Sequence, residues 1–215
     1  MKTRIEKYGN IAISKVTASQ LASEHCETLA ILLGDILENV FTFSDVDALL
    51  VDVRVGAGTD VCSVPPELGK LTAPNLEMER AAAQLSWLVR ESTVPIVLIT
   101  RGIICGGACI LALMADGLIA SRESSFVHPF LYTGVVSAGG STKKLSDLIG
   151  ASRTKEFMWM PWPLHATVAR DWGFVDDVLD DEQLIPSAIV LARRLAANRE
   201  GVAAKRASLI ASPFR

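Results

Sequence analysis

Apolar positions along the chain follow two periods in turn. The segment Asn10–Val16 (NIAISKV) alternates apolar and polar residues, which puts every second side chain on one face and predicts a β-strand. The stretch after it, Ala18–Val40, carries Leu21, Leu29, Leu32, Leu33, Ile36 and Val40 at helical spacing. Asp47–Val55 (DALLVDVRV) returns to a strand. Gly56–Pro74 is rich in glycine and proline and reads as a loop, and a helix is predicted over Asn75–Glu91. Val94–Thr100 (VPIVLIT) is the most continuous apolar run and predicts a buried strand. Two adjacent glycines, Gly106 and Gly107, then open an apolar helix, and Gly117–Ser121 (GLIAS) is the next strand. A second glycine pair, Gly139 and Gly140, precedes a further helix, and from Ser152 onward the pattern is mostly helical. Strands alternating with helices predict an α/β layer fold with parallel pairing. There is no internal repeat, low-complexity tract or linker.

Composition narrows the class. The chain has 215 residues, half of them hydrophobic, which suits one domain with a full core. The net charge of −3 offers no basic stripe, so nucleic acid is not an expected partner. The first residues, MKTRIEKYGNIAIS, lack the apolar run of a signal peptide. The longest apolar stretch, Val94–Ala120, is interrupted by Arg101 and Asp116, so no membrane span is expected and a cytoplasmic location is. Cys26, Cys62, Cys105 and Cys109 show no zinc-ligand spacing and read as reduced thiols.

The informative joint is Arg101–Gly117 (RGIICGGACILALMADG), where strand passes into helix through Gly106-Gly107. Glycine there serves either close packing or close approach of a ligand to the backbone, at the positive end of a helix macrodipole.

In order and spacing, VGAGTDVCSVPPEL, RGIICGGACILALMADGLIAS, FVHPF, SAGGSTKKLSDLIGASRTKEF and HATVARDWGFVDDVL resemble the motif series of the crotonase (enoyl-CoA hydratase/isomerase) superfamily. The resemblance covers about residues 10–212. It implies a ββα-superhelix core over residues 1–198 with a shortened C-terminal helical segment over 199–215, and association as a homotrimer or hexamer. It also implies a substrate carried as a thioester on CoA or on the phosphopantetheine of an acyl carrier protein. No metal or redox cofactor is expected, since the sequence has neither a ligand cluster nor a dinucleotide fingerprint. The chemistry the resemblance implies is enolate formation, with two backbone N–H groups holding the thioester oxygen. The second donor falls on Gly107, beside Gly106. The first falls on Pro65, which has no N–H, or on Val64 if the loop shifts by one residue, with Ser63 beside it.

The chain departs from the pattern where hydratases carry two glutamates. Ile110 and Phe130 stand there, and neither transfers a proton, so simple hydration is not expected. Two readings stay open. In one, an apolar cleft decarboxylates or isomerises a carrier-bound acyl thioester, as in the similar decarboxylases of polyketide β-branching. Here Lys70 matches loosely a lysine that this branch implies, and its distal histidine has no counterpart before Arg215. His128 is the candidate acid, two positions from Phe130 on one face of an extended segment, and Tyr132 continues that face. Gly139 and Gly140 would line the acyl site. In the other reading the protein is a catalytically inactive auxiliary or scaffolding subunit of the same fold. A third assignment, Cys109 as an acyl nucleophile, lacks a neighbouring base.

Asp116 and His165 are expected to be structural, the latter at a helix N-cap. Lys143, Lys144, Arg153 and Lys155 form a basic cluster, read as a solvated helix face or as a contact for an acidic carrier or a CoA phosphate, with Lys205 and Arg206 in a similar role. Trp159 and Trp162 are expected in core or interface packing, or in the acyl pocket.

Overall fold

A computed structural model of the chain describes residues 5–17, 26–41, 45–55, 76–127, 140–160 and 162–208. Its main sheet has six strands in the order β1-β2-β3-β4-β6-β9, with β1 Ile5–Tyr8, β2 Ile11–Thr17, β3 Ala48–Arg54, β4 Ile96–Arg101, β6 Gly117–Ser121 and β9 Asp177–Leu179. Only β1 and β2 pair antiparallel; the other neighbours are parallel. A second sheet of three short strands, β5 Ile103–Ile104, β7 Ser125–Phe126 and β8 Leu164–His165, lies in the order β5-β7-β8. Among the described residues the helices are α1 Cys26–Phe41, α2 Leu76–Glu91, α3 Gly106–Met114, α4 Ser141–Trp159, α5 Ala166–Asp171, α6 Asp181–Ala197 and α7 Arg199–Ser208.

The apolar runs form the central strands because both faces of the sheet are covered. Leu49, Val51 and Val53 of β3 and Ile96 and Leu98 of β4 join one large core with α1, α2 and α3. The alternate residues Leu50, Val97, Ile99 and Ile119 face a smaller core with Leu184, Ala188, Ile189 and Ala192 of α6. Helix α1 buries the stripe Leu32, Leu33, Ile36, Leu37 and Val40, the helical spacing read in the sequence. Helix α3 is buried from Ala108 to Leu113, so it runs through the core.

The predicted strands and helices are present, with bounds shifted by one or two residues within the described chain. The described residues after Ser152 are mostly helical, as the pattern predicts, with two short strands between the helices. These are β8 and β9, and β9 is an edge strand of the main sheet. Two and three residues are too short to show a period, and their pairing is with distant strands. Trp159 and Trp162 are exposed, at 61% and 63%, which corrects their placement in the core. Arg206 is corrected too. Its side chain is largely buried and donates from Nε to Asp116 Oδ1 at 2.8 Å, from Nη2 to Asp116 Oδ2, and to the carbonyls of Ser92 and Val94 at 2.5 and 3.1 Å. It fastens α7 to the core and is committed there.

Candidate functional site

The site is built where β4 leaves the main sheet. Val55 N donates to Arg101 O at 2.9 Å, so β3 and β4 end side by side. Gly102 follows with φ +83°, and a Cβ at that position would lie 2.1 Å from Val55 O. Only glycine fits, because both the left-handed backbone and the close carbonyl exclude a side chain. The chain then enters the small sheet: Ser125 N donates to Gly102 O at 3.1 Å and Val127 N to Ile104 O at 2.9 Å. Ser124, just before β7, is anchored to the main sheet, its Oγ donating to Thr100 O at 2.8 Å and lying 3.1 Å from Ser121 Oγ.

Cys105 then takes the N-cap of α3 in extended geometry, φ −141° and ψ 176°, with no side-chain capping bond. The first intrahelical bond runs from Cys109 N to Cys105 O, at 3.3 Å. The amides of Gly106, Gly107 and Ala108 precede it, and the helix supplies them no acceptor. No acidic residue stands in the first turn, so the positive end of α3 is not offset within the helix. This arrangement can hold an oxyanion against the Gly107 N–H.

Ile110 is 1% exposed and packed in the main core, so an aliphatic side chain fills the position. Cys109 is 2% exposed among the same apolar residues, the environment of an inert buried thiol rather than a nucleophile. Gly140 N-caps α4 at φ +78°, and Lys144 N donates to its carbonyl at 3.0 Å. Helices α3 and α4 pack on each other. Ser63, Val64, Pro65, Lys70, His128, Phe130, Tyr132 and Gly139 lie outside the described residues.

Asp116 is structural, as expected. Its Oδ2 accepts from Ile96 N at 2.8 Å, and its own N–H donates to Ile96 O at 2.9 Å. His165 is the N-cap residue of α5, although its side chain makes no capping bond. Lys143 pairs with Asp147 one turn on, at 2.7 Å, and Arg153 lies over the Trp172 ring, 5.8 Å from its centroid.

One network was missed in the sequence. Asp52 of β3 and Arg101 of β4, both 6% exposed, form a buried ion pair at the ends of their strands. Arg101 Nε also donates to Asp181 Oδ2 at 3.2 Å, and Arg54 Nη2 to the same oxygen at 3.5 Å. Burial pushes the Asp52 carboxyl above its usual range, against the pull of the Arg101 charge. The signal was there: an acid and a base, each inside an apolar strand, need partners of opposite sign. Among the described residues no group of three or more His, Cys, Asp or Glu side chains is placed to hold a metal.

Comparison with known proteins follows the same lines. The family model described as enoyl-CoA hydratase/isomerase matches residues 65–212. A mevalonyl-coenzyme A hydratase of Aspergillus fumigatus is 26% identical over 166 residues, 75% of this chain and 62% of that protein. The 1,2-epoxyphenylacetyl-CoA isomerase of Escherichia coli is 33% identical over 126 residues, 58% of this chain and 48% of that protein. The chain thus spans about half to three fifths of the length of the curated relatives it matches. Among solved structures, a probable enoyl-CoA hydratase/isomerase of Mycobacterium abscessus superposes with a TM-score of 0.78 at 22% identity, covering 99% of this chain and 85% of that one. The fold is shared with these structures.

Proposed function

The chain belongs to the enoyl-CoA hydratase/isomerase family, and from that premise we propose that it binds an acyl thioester and stabilises an enolate at the start of α3. The observation that supports this best is the Gly107 amide, set at an uncapped helix N-terminus immediately after a strand end fixed by Gly102. As negative charge grows on the thioester oxygen, this N–H and the helix dipole stabilise it. One such donor contributes about 3–4 kcal/mol to the barrier. Val64 or its neighbours supply the first donor, and His128 delivers a proton to the enolate carbon.

The reaction class follows from what fills the acid/base position. Ile110 packs in the core where a hydratase would need a carboxylate, so the reading favours a reaction that activates no water. Decarboxylation or isomerisation of a thioester on CoA or acyl carrier protein fits, in a polyketide or other secondary pathway. The enzyme would act as a cytoplasmic trimer or dimer of trimers, with no metal or redox cofactor. The same burial of Ile110 supports a second reading, an auxiliary subunit that keeps the fold without turnover.

The test is an assay of glutaconyl- and malonyl-type thioesters on CoA and on carrier protein, with loss of CO2 followed by mass spectrometry. Turnover is expected, and Gly107→Pro should reduce it by roughly two to three orders of magnitude. The first helical turn tolerates proline, so the variant removes one N–H with the helix kept. A folded Gly107→Pro protein of unchanged activity overturns the donor assignment. No turnover across the panel, together with tight binding of another pathway protein, favours the auxiliary subunit.

A further inference from the structure

Helix α7 crosses the entry end of the main sheet, and two arginines hold it there. Arg199 and Arg206 are seven positions apart, so they share one helix face with Val202 between them. Seven residues of helix advance about 10.5 Å. Strands β3 and β6 lie two places apart, with β4 between them, which sets their starts about 9.6 Å apart. The spacings match, and each arginine meets the aspartate that precedes one of these strands. Arg199 Nη2 donates to Asp47 Oδ1 at 3.2 Å and to the carbonyls of Asp47 and Val46 at 3.3 and 3.5 Å, ahead of β3. Arg206 takes Asp116, ahead of β6, and the Ser92 and Val94 carbonyls, ahead of β4. What α7 lacks is apolar cover. Over residues 199–207 only Val202 and Arg206 are partly buried, and the others are exposed. Helix α6, by contrast, is seated in the core through Leu184, Ala188, Ile189 and Ala192. The two helices meet at one residue. The Asn198 N–H donates to Leu195 O at 3.0 Å and ends α6, while its carbonyl accepts from Val202 N at 3.0 Å and begins α7. Its φ of −122° and ψ of 42° lie outside the helical region.

We propose that α7 is a strap that swings away as a unit about Asn198 while the sheet and α6 stay folded, with Arg199 and Arg206 as its two latches. Its hold on the sheet is polar, and polar contacts exchange for water at small net loss, whereas the elements beneath it are held by apolar burial. Open, the strap bares Asp47, Asp116 and the Val46, Ser92 and Val94 carbonyls along the entry edge. The latches differ in kind. Arg199 and Asp47 are each about half exposed, so salt screens their attraction. Arg206 and Asp116 are each about one-tenth exposed, so salt screens theirs far less. Ionic strength therefore loosens the end beside the pivot, and Arg206 holds the far end. The inference does not rest on the thioester reading.

The test is hydrogen exchange of the whole chain, followed amide by amide at low urea concentrations. The amides of Ala203–Ala207 are expected to exchange through a small opening, with a urea dependence at most about a third of that of Val97–Thr100 in β4. Arg206→Gln should speed α7 exchange at least about tenfold. Arg199→Gln should speed it about threefold at low salt, a difference lost at about 1 M salt. One shared rate and urea dependence for α7 and β4 overturns the proposal, because α7 then opens only when the core unfolds. So does exchange of Ala203–Ala207 in the wild type at the rate of an unstructured chain, because there is then no closed strap. A folded Arg206→Gln protein whose α7 exchanges as in the wild type overturns the latch. If Arg206→Gln fails to fold, Arg199→Gln decides: unchanged α7 exchange at low salt overturns it.

Discussion

Single residues carry the sharpest expectations. Gly102 combines φ +83° with a carbonyl 2.1 Å from where its Cβ would be, so Gly102→Ala should cost several kcal/mol or prevent folding, as read by urea denaturation. Arg206 and Asp116 are each about one-tenth exposed and satisfy one another across the chain. Removing either leaves a buried charge: Arg206→Ala and Asp116→Ala are each expected to destabilise by about 3–5 kcal/mol. Lys144 gives a pH signature. Its amine titrates lower in the folded chain than the ordinary 10.5, so the folded state is penalised while Lys144 is charged. That penalty is complete below the folded pKa and is relieved as pH rises through it toward 10.5. Lys144→Gln should therefore be more stable than the wild type near pH 7, and the gap should close in thermal melts run at increasing pH. A gap that widens with pH contradicts the burial argument.

At the scale of elements, the ends of β3 and β4 are set by Asp52 and Arg101, one on each strand. Breaking that pair from one side, as in Arg101→Met, leaves Asp52 buried and unpaired and should cost about 3–5 kcal/mol. Replacing both, Asp52→Leu with Arg101→Met, should restore most of the loss, because an apolar pair needs no desolvated charges. A double-mutant cycle in denaturant measures the difference. Much of this level was legible in advance. The alternation in β2, the apolar runs of β3 and β4 and the stripe of α1 each follow from a local period. The start of α3 was marked by Gly106-Gly107, and that of α4 by Gly139-Gly140. The short strands were not legible, since β5, β7 and β8 have two residues each and exist only through one another.

For the whole molecule, the sheet is covered on one face by α1, α2 and α3 and on the other by α6, which leaves Trp159 and Trp162 on the outside of the single chain. If the trimer proposed above covers these rings, dilution through the association range should shift tryptophan emission to the red as sedimentation reports dissociation. No helix among the described residues is long and apolar enough to cross a membrane. The sequence by itself determined the α/β layering, the position of the helix start that carries Gly107, and the apolar identity of Ile110 and Phe130, where the family resemblance implies glutamates. Those features are set by neighbours a few positions apart or by residue identity alone. Tertiary structure alone decided that Arg206 reaches Asp116 across 90 positions, that Asp52 meets Arg101 across 49, and that Lys144 is left beside cations with both nearby carboxylates taken. Such pairings depend on which elements come together and how deeply they are buried, and no periodicity along the chain encodes that.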